Sequence, residues 1–164
     1  MGPGPRYGCP RANPPATALV RFHAVGENRV RTAFLDLRVR EMYGDWERVT
    51  ASTVAGLRAL VGPDVDDPRL TKLVGELSVR SERFRQLWAR RDARPKHGGT
   101  TNIDHPQVGP LELGYEKLPT PNTGCQTLVI HLAKAGSPSA QKLAILASAT
   151  AEKREPHRPL RSGG

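Results

Sequence analysis

The spacing of apolar residues changes after Arg94, and this change restricts the fold more than any other feature of the sequence. Before Arg94, apolar side chains recur every three or four residues, as on one face of an α-helix. After it they alternate with polar residues, as along a strand with one wet face. Helical spacing returns from Ser137 onward. Helices followed by antiparallel strands and a last helix predict an α+β fold, because a parallel sheet would need helices and strands in alternation.

Capping residues divide the first part of the chain into separate helices. Asp36, Asp45, Asp67 and Ser81 each adjoin an apolar stripe, and each has a side-chain oxygen that can accept hydrogen bonds from the first turn of a helix. Pro68 follows Asp67 directly, at a helical position where a missing N–H does no harm. The pattern therefore predicts several helices packed on a short antiparallel sheet.

The predicted strands follow a segment rich in turn formers. Residues 95–102 contain paired glycines and few apolar side chains, so we expect a loop there. Residues 103–108 predict a short strand that Pro106 breaks. Residues 111–118 alternate between apolar and polar side chains, and residues 127–132 are more continuously apolar. These two segments predict a half-buried strand and a more buried one.

The length and the two ends of the chain predict one domain with irregular flanks. A chain of 164 residues suits a single hydrophobic core. Five prolines lie between Pro3 and Pro15, where they oppose both helix and central strand. We therefore expect residues 1–26 to form a disordered or degenerate segment, residues 27–148 the domain, and residues 149–164 a disordered basic tail.

The distribution of charge argues against a folded surface for polyanions. The formal net charge is +9, with an excess of +4 in residues 1–43 and +3 in residues 135–164. A phosphate-binding domain should carry its charge on its folded face, and the middle of the chain is nearly neutral. Two cysteines are too few for a disulfide framework, and no apolar run reaches the roughly 18 residues of a membrane helix. We expect a cytoplasmic protein that does not enter the membrane.

Residues with catalytic or metal-binding chemistry form no recognisable pattern. No pair of the five histidines has the H-x-x-x-H or H-x-H spacing that places two ligands on one face. No G-x-S-x-G segment is present, and Cys125 has no neighbouring histidine or basic residue to activate its thiol. The sequence predicts a binding domain that is not an enzyme and has no metal or cofactor.

The basic segment 83–91 leaves two interpretations open. Phe84 and Trp88 could stack on bases while the neighbouring arginines contact phosphates, as in proteins that bind single-stranded nucleic acid. Phe84, Leu87 and Trp88 also have the spacing of the buried face of an amphipathic helix. We favour the buried helix, and a small basic nucleic-acid-associated protein is the alternative function.

An ordered set of short motifs resembles a known family. They are Phe34-Leu35-Asp36, Arg40 to Glu47, Asp67 to Leu70, Leu73 to Ser78, Ser81 with Phe84-Arg85 and Leu87 to Arg90, His105-Pro106, Val108-Gly109, Leu111, Tyr115-Glu116 and Gly136 to Ser139. In this order they resemble the ligand-binding domain of MmyB-like transcription regulators of actinobacteria. The resemblance covers about residues 27 to 147.

The resemblance implies a PAS-like sensor domain, in which helices pack on an antiparallel sheet around an apolar pocket. A relative holds a fatty-acid-like molecule in that pocket. In the family the domain follows a helix-turn-helix of the XRE class, and no residue of this chain matches that DNA-binding segment. DNA is therefore expected as a partner only through a helix-turn-helix that this chain lacks, and the first strands of the sheet are also expected to be missing. A regulator remnant without function is a further alternative.

Four residues are candidates for the ligand pocket on the basis of their side-chain type and position. Phe34, Trp88 and Tyr115 would supply apolar surface, and His105 a polar contact. Ordinary core packing is the alternative for all four, and for His105 it takes the form of an imidazole that holds a turn. Loss of the first strands would expose a sheet edge, which can pair with another chain. We therefore expect a homodimer through that edge, or aggregation.

Overall fold

The structure, a computed structural model, describes residues 11–20, 25–61, 67–90, 95–120 and 126–152. The elements are α1 (Pro14–Leu19), α2 (Arg29–Leu35), α3 (Leu37–Met42), α4 (Trp46–Val61), α5 (Pro68–Arg80), α6 (Glu82–Ala89), β1 (Gly98–His105), β2 (Gly109–Pro119), β3 (Thr127–Leu132) and α7 (Pro138–Glu152). Within these residues, seven helices pack on one antiparallel sheet with the strand order β1-β2-β3, which confirms the predicted α+β class. No helix in this part of the chain is long and apolar enough to cross a membrane.

The predicted caps are present at the helix starts. The Asp36 side chain accepts a hydrogen bond from the Arg38 amide at 3.0 Å, and Asp67 accepts one from Arg69 at 2.9 Å. Ser81 accepts from the Phe84 amide at 3.2 Å and begins α6. Each bond satisfies an amide that has no partner inside its own helix. Local sequence chemistry therefore defines where these helices begin.

Helix α1 lies in the proline-rich region where the sequence predicts an irregular segment. Asn13 caps it by accepting the Ala16 amide at 2.8 Å, and Pro14 and Pro15 occupy its first turn, where no amide is needed. Leu19 and Val20, at 2% and 1% exposure, anchor its end in the core. The segment is therefore ordered by capping and by burial, which outweigh its proline content.

Strand β1 also differs from the prediction, because it starts at Gly98 inside the expected loop. Its register with β2 pairs Gly99 with Tyr115 and Ile103 with Leu111. A Cβ atom at Gly99 would lie 3.2 Å from the Tyr115 hydroxyl, so a glycine leaves room for that ring. Pairing with the 11-residue β2 extends β1 through a sequence of low strand propensity. Pro106 lies in the turn after β1 and does not break a strand.

The buried side chains form two groups. The helical cluster contains Val30, Ala33, Phe34, Val54, Leu57, Leu70, Leu73, Leu77, Phe84 and Leu87. The sheet cluster contains Leu19, Val20, Val39, Met42, Tyr43, Ile103, Leu111, Leu113 and Leu146. Trp46 packs against the sheet cluster and donates its indole N–H to the Ala33 carbonyl of α2 at 3.0 Å. Trp46 therefore connects the two clusters.

The edges of the sheet are covered unequally. Tyr43 forms an isolated antiparallel bridge with Ile103 on the free side of β1. On β2, the Ser139 hydroxyl at the start of α7 accepts the Glu112 amide at 2.9 Å. Strand β3 has β2 on one side and no strand on the other among the residues that the structure describes. Leu128 and Leu132 are each 55% exposed, so the outer face of the sheet beside this edge is apolar.

Candidate ligand-binding site

An open groove of about 990 Å³ lies between α2, α3 and the end of β1. Its charged lining includes Arg31, Arg38, Arg80, Asp36, Glu41 and Asp104, beside the apolar Leu35, Leu37 and Met42. Opposite charges neutralise much of this lining. Arg38 bonds to Asp36 at 2.6 Å and lowers the pKa of that carboxyl. Arg31 and Arg80 both contact Glu76, at 2.5 and 3.0 Å, and Arg31 is the larger cause of the lowered pKa of Glu76.

Two of the predicted pocket residues, Phe34 and Trp88, lie in the helical cluster. The Phe34 ring meets Phe84 edge to face at 5.1 Å, and Phe84 stacks on Trp88 at 5.6 Å between ring centroids. The Arg58 guanidinium lies 4.7 Å from the Trp88 ring and also donates to the Trp88 carbonyl at the end of α6. These contacts fit the core-packing alternative, and a ligand contact by either ring stays a prediction.

In the basic segment 83–91, the Phe84 ring is not available to stack on nucleic-acid bases. Phe84 is fully buried and Leu87 is 6% exposed, so the favoured core helix is confirmed. Arg83 also turns inward, where it donates to the Glu47 carbonyl at 3.0 Å. Stacking on bases requires exposed rings, and the Phe84 ring is not exposed.

His105 lies at one end of the groove with its ring inside the protein. It is 4% exposed, its Nδ1 accepts the Gln107 amide at 3.2 Å, and its Nε2 is 2.9 Å from the Ala18 carbonyl. Because Nδ1 accepts, Nε2 carries the hydrogen and donates to Ala18. The ring holds the turn after β1, as the alternative interpretation has it, and also attaches α1 to the sheet. Its role as a polar ligand contact stays a prediction.

Tyr115 lies on the inner face of the sheet and does not belong to the helical cluster that Phe34 and Trp88 share. It is half-buried, pairs with Gly99 on β1 and with His131 on β3, and the Lys117 ammonium lies 5.5 Å from its ring. The four predicted residues therefore do not line one cavity. Phe34 and Trp88 share the helical cluster, His105 adjoins the groove, and Tyr115 faces a separate polar region.

That region, called here the interior polar cluster, consists of Arg29, Ser52, Tyr115, Lys117 and His131. Lys117 donates to the Ser52 hydroxyl of α4 at 2.9 Å. Because Lys117 pairs with Val129 and Tyr115 pairs with His131, both Lys117 and His131 belong to the inner face of the sheet. Sequence reasoning missed Lys117. The alternation Leu111, Leu113, Tyr115, Lys117 places it in the inward phase of β2 and could have identified it.

Burial and Arg29 together disfavour positive charge in the interior polar cluster. Burial lowers the pKa of Lys117, and Arg29 lowers it further. The pKa of His131 falls for the same two reasons, in the same order. Burial also raises the pKa of the nearby Tyr43 hydroxyl, against the opposing effect of Arg29. Arg29 of α2 thus acts electrostatically on Tyr43 at the end of α3, on Lys117 of β2 and on His131 of β3.

The lowered pKa of His131 predicts a dependence of stability on acidity. Below the ordinary histidine pKa of 6.5, the unfolded chain binds a proton at this position more readily than the folded protein does. The free energy of unfolding should therefore fall as pH decreases from about 7 toward 5, and the His131 contribution should be constant above that range. Urea denaturation at successive pH values measures this dependence. We expect His131→Gln to reduce the slope; an equal slope in the variant and in the unaltered chain would contradict this assignment.

The described residues form an α+β scaffold with a group of polar side chains against the inner face of a sheet. Among these residues, no three histidine, cysteine, aspartate or glutamate side chains lie close enough to hold a metal ion. A family model, the MmyB-like transcription regulator ligand binding domain, matches residues 4–146. The chain belongs to this family. Searches of curated proteins and of solved structures gave no significant match.

Proposed function

We propose that the chain is a non-enzymatic sensor domain of a cytoplasmic transcription regulator, and that it binds an apolar small molecule such as a fatty acid. The ligand lies between the inner face of the sheet and helices α2 and α4. DNA is contacted only through a helix-turn-helix of the XRE class supplied outside the residues of this chain. Membership of a ligand-binding family supports the sensing role.

The uneven burial of the inner sheet face carries this proposal. At one end, Ile103, Leu111 and Leu113 are 1%, 2% and 0% exposed. At the other end, Tyr115, Val129 and His131 on the same face are only half-buried. Apolar surface left partly open beside a few polar groups is typical of a small-molecule site. The hydrocarbon chain of a bound ligand would complete the burial of this second half of the inner sheet face.

Long side chains connect α4 to the sheet. Arg48 of α4 donates to the Thr100 carbonyl of β1 at 2.5 Å, and Lys117 of β2 reaches back to Ser52. Arg48 and Ser52 are one helical turn apart, so both lie on the face of α4 that is directed at the sheet. This face and the half-buried end of the sheet form the two walls of the proposed site.

The proposed function is tested on the purified chain by native mass spectrometry, followed by extraction and identification of any retained lipid. We expect a bound fatty-acyl species, or binding of added palmitate where none is retained. Val129→Trp should block the site and abolish binding. Leu128→Trp changes the adjacent residue, which lies on the opposite face, and should leave binding intact. A chain that neither retains lipid nor binds palmitate would overturn the proposal.

We also propose that two copies pair through β3. The free sides of β1 and β2 are contacted by Tyr43 and Ser139, whereas β3 has no strand on its outer side among the described residues, and the exposed Leu128 and Leu132 lie beside that edge. An open edge with exposed leucines is a template for another strand. Sedimentation velocity should therefore give a dimer, and Leu128→Lys with Leu132→Lys should shift it to monomer. A monodisperse monomer of the unaltered chain would contradict this pairing.

A further inference from the structure

Lys117 occupies a position where a lysine is unusual. The alternation of β2 directs it to the inner face of the sheet, after Leu113 and Tyr115. It is half-buried, and its ammonium contacts the Ser52 hydroxyl at 2.9 Å and lies 5.5 Å from the Tyr115 ring. Lysines are almost never buried unless a partner compensates their charge. A hydroxyl and an aromatic ring satisfy hydrogen bonds but do not neutralise that charge.

Among the described residues, Arg29 of α2 acts on Lys117 as a second positive charge. Ser52 comes from α4, and His131 of β3 belongs to the same face of the sheet as Lys117. The five ion pairs found among the described residues all lie elsewhere and do not include Lys117. A charge that is partly removed from water without a counter-ion lowers stability. An anion bound at this point would reverse that cost.

We propose that Lys117, together with Arg29 and His131, binds the anionic head group of an amphipathic ligand, a carboxylate or a phosphate monoester. The inference rests on the proposed function, because the apolar part of such a ligand would lie along the half-buried face that includes Val129. Lys117 supplies the principal charged contact, and Ser52 orients its ammonium. The site therefore selects long-chain anions over neutral chains of the same length.

Palmitate, hexadecyl phosphate and the neutral 1-hexadecanol separate the head-group contact from the apolar contact. Isothermal titration calorimetry should show that the unaltered chain binds at least one of the two anions about 10-fold or more tightly than the alcohol. A hydrogen bond to a charged group contributes a binding free energy of this size. The comparison of palmitate with hexadecyl phosphate identifies the head group. Lys117→Met should weaken anion binding by about 10- to 100-fold and change hexadecanol binding by less than about 3-fold.

Two further variants control for structural effects. Lys117→Arg keeps the charge and should retain the preference for the anion. Lys142→Met removes a lysine of α7 that donates to the Pro110 carbonyl at 2.6 Å, away from the interior polar cluster, and should change no affinity. Circular dichroism and urea denaturation establish that each variant is folded.

The outcomes distinguish this inference from the function on which it rests. Equal affinity of the unaltered chain for the anions and the alcohol would overturn the head-group site and leave the apolar sensor intact. If folded Lys117→Met lost affinity for all three compounds to the same extent, the head-group site would also be overturned. The lysine would then maintain the structure of the pocket and would not contact the head group. Absence of binding by all three compounds would overturn both the site and the proposed function.

Discussion

Phe84→Ala is expected to lower the free energy of unfolding by about 3 to 5 kcal/mol, the range for removal of a large buried aromatic side chain. Phe84 is fully buried, and its ring lies between Phe34 at 5.1 Å and Trp88 at 5.6 Å. The substitution removes both ring contacts and leaves a cavity that the helices can fill only in part. Urea denaturation monitored by Trp fluorescence and circular dichroism measures the change.

Leu37→Ala is the control for an apolar side chain removed from the surface. Leu37 is 74% exposed on α3, and its loss should change the free energy of unfolding by no more than about 0.5 kcal/mol. If Phe84→Ala proved as mild as this control, the packing of the three rings would not stabilise the core. Phe34 and Trp88 would then again be candidates for contact with a ligand.

His105→Ala is expected to lower the free energy of unfolding by about 2 to 3 kcal/mol, because it removes two hydrogen bonds and leaves buried polar groups without partners. The ring is 4% exposed and bonds both the Gln107 amide and the Ala18 carbonyl. Since the second bond attaches α1 to the sheet, the variant should also expose the α1 region to proteases at lower urea concentration than the unaltered chain.

His97→Ala provides the matched control, because this histidine precedes the same strand with an exposed side chain. Its loss should change the free energy of unfolding by about 0.5 kcal/mol or less. Similar stability of the two variants, or unchanged protease resistance of His105→Ala, would show that the imidazole does not hold α1 in place.

Local chemistry made most of the fold predictable from the sequence. The side chains of Asp36, Asp67 and Ser81 cap helices where the pattern places them, and β3 spans the predicted residues 127–132. Helix α1 and the first half of β1 were not predictable in this way. Their order depends on burial of Leu19 and on pairing with β2, which are contacts between distant parts of the chain.

The candidate site was less accessible to sequence reasoning than the fold. Phe34, Trp88 and Tyr115 were predicted from their aromatic type alone. Phe34 and Trp88 pack in the helical cluster, whereas Tyr115 lies on the sheet face that carries the interior polar cluster. Lys117 was missed because a charged residue near the end of an alternating strand is usually solvated. Its assignment also requires Arg29 and Ser52, which the fold brings to it from 88 and 65 positions earlier in the chain.

The bond from the Trp46 indole to the Ala33 carbonyl has a mechanical consequence. Trp46 begins the helix that also carries Ser52, and its ring packs against the sheet cluster while its N–H is held by α2. Sliding of the sheet against the helices must therefore either break this bond or carry α2 along. Relative motion of the two clusters therefore costs this hydrogen bond unless α2 moves together with Trp46, so one indole couples the helices to the sheet.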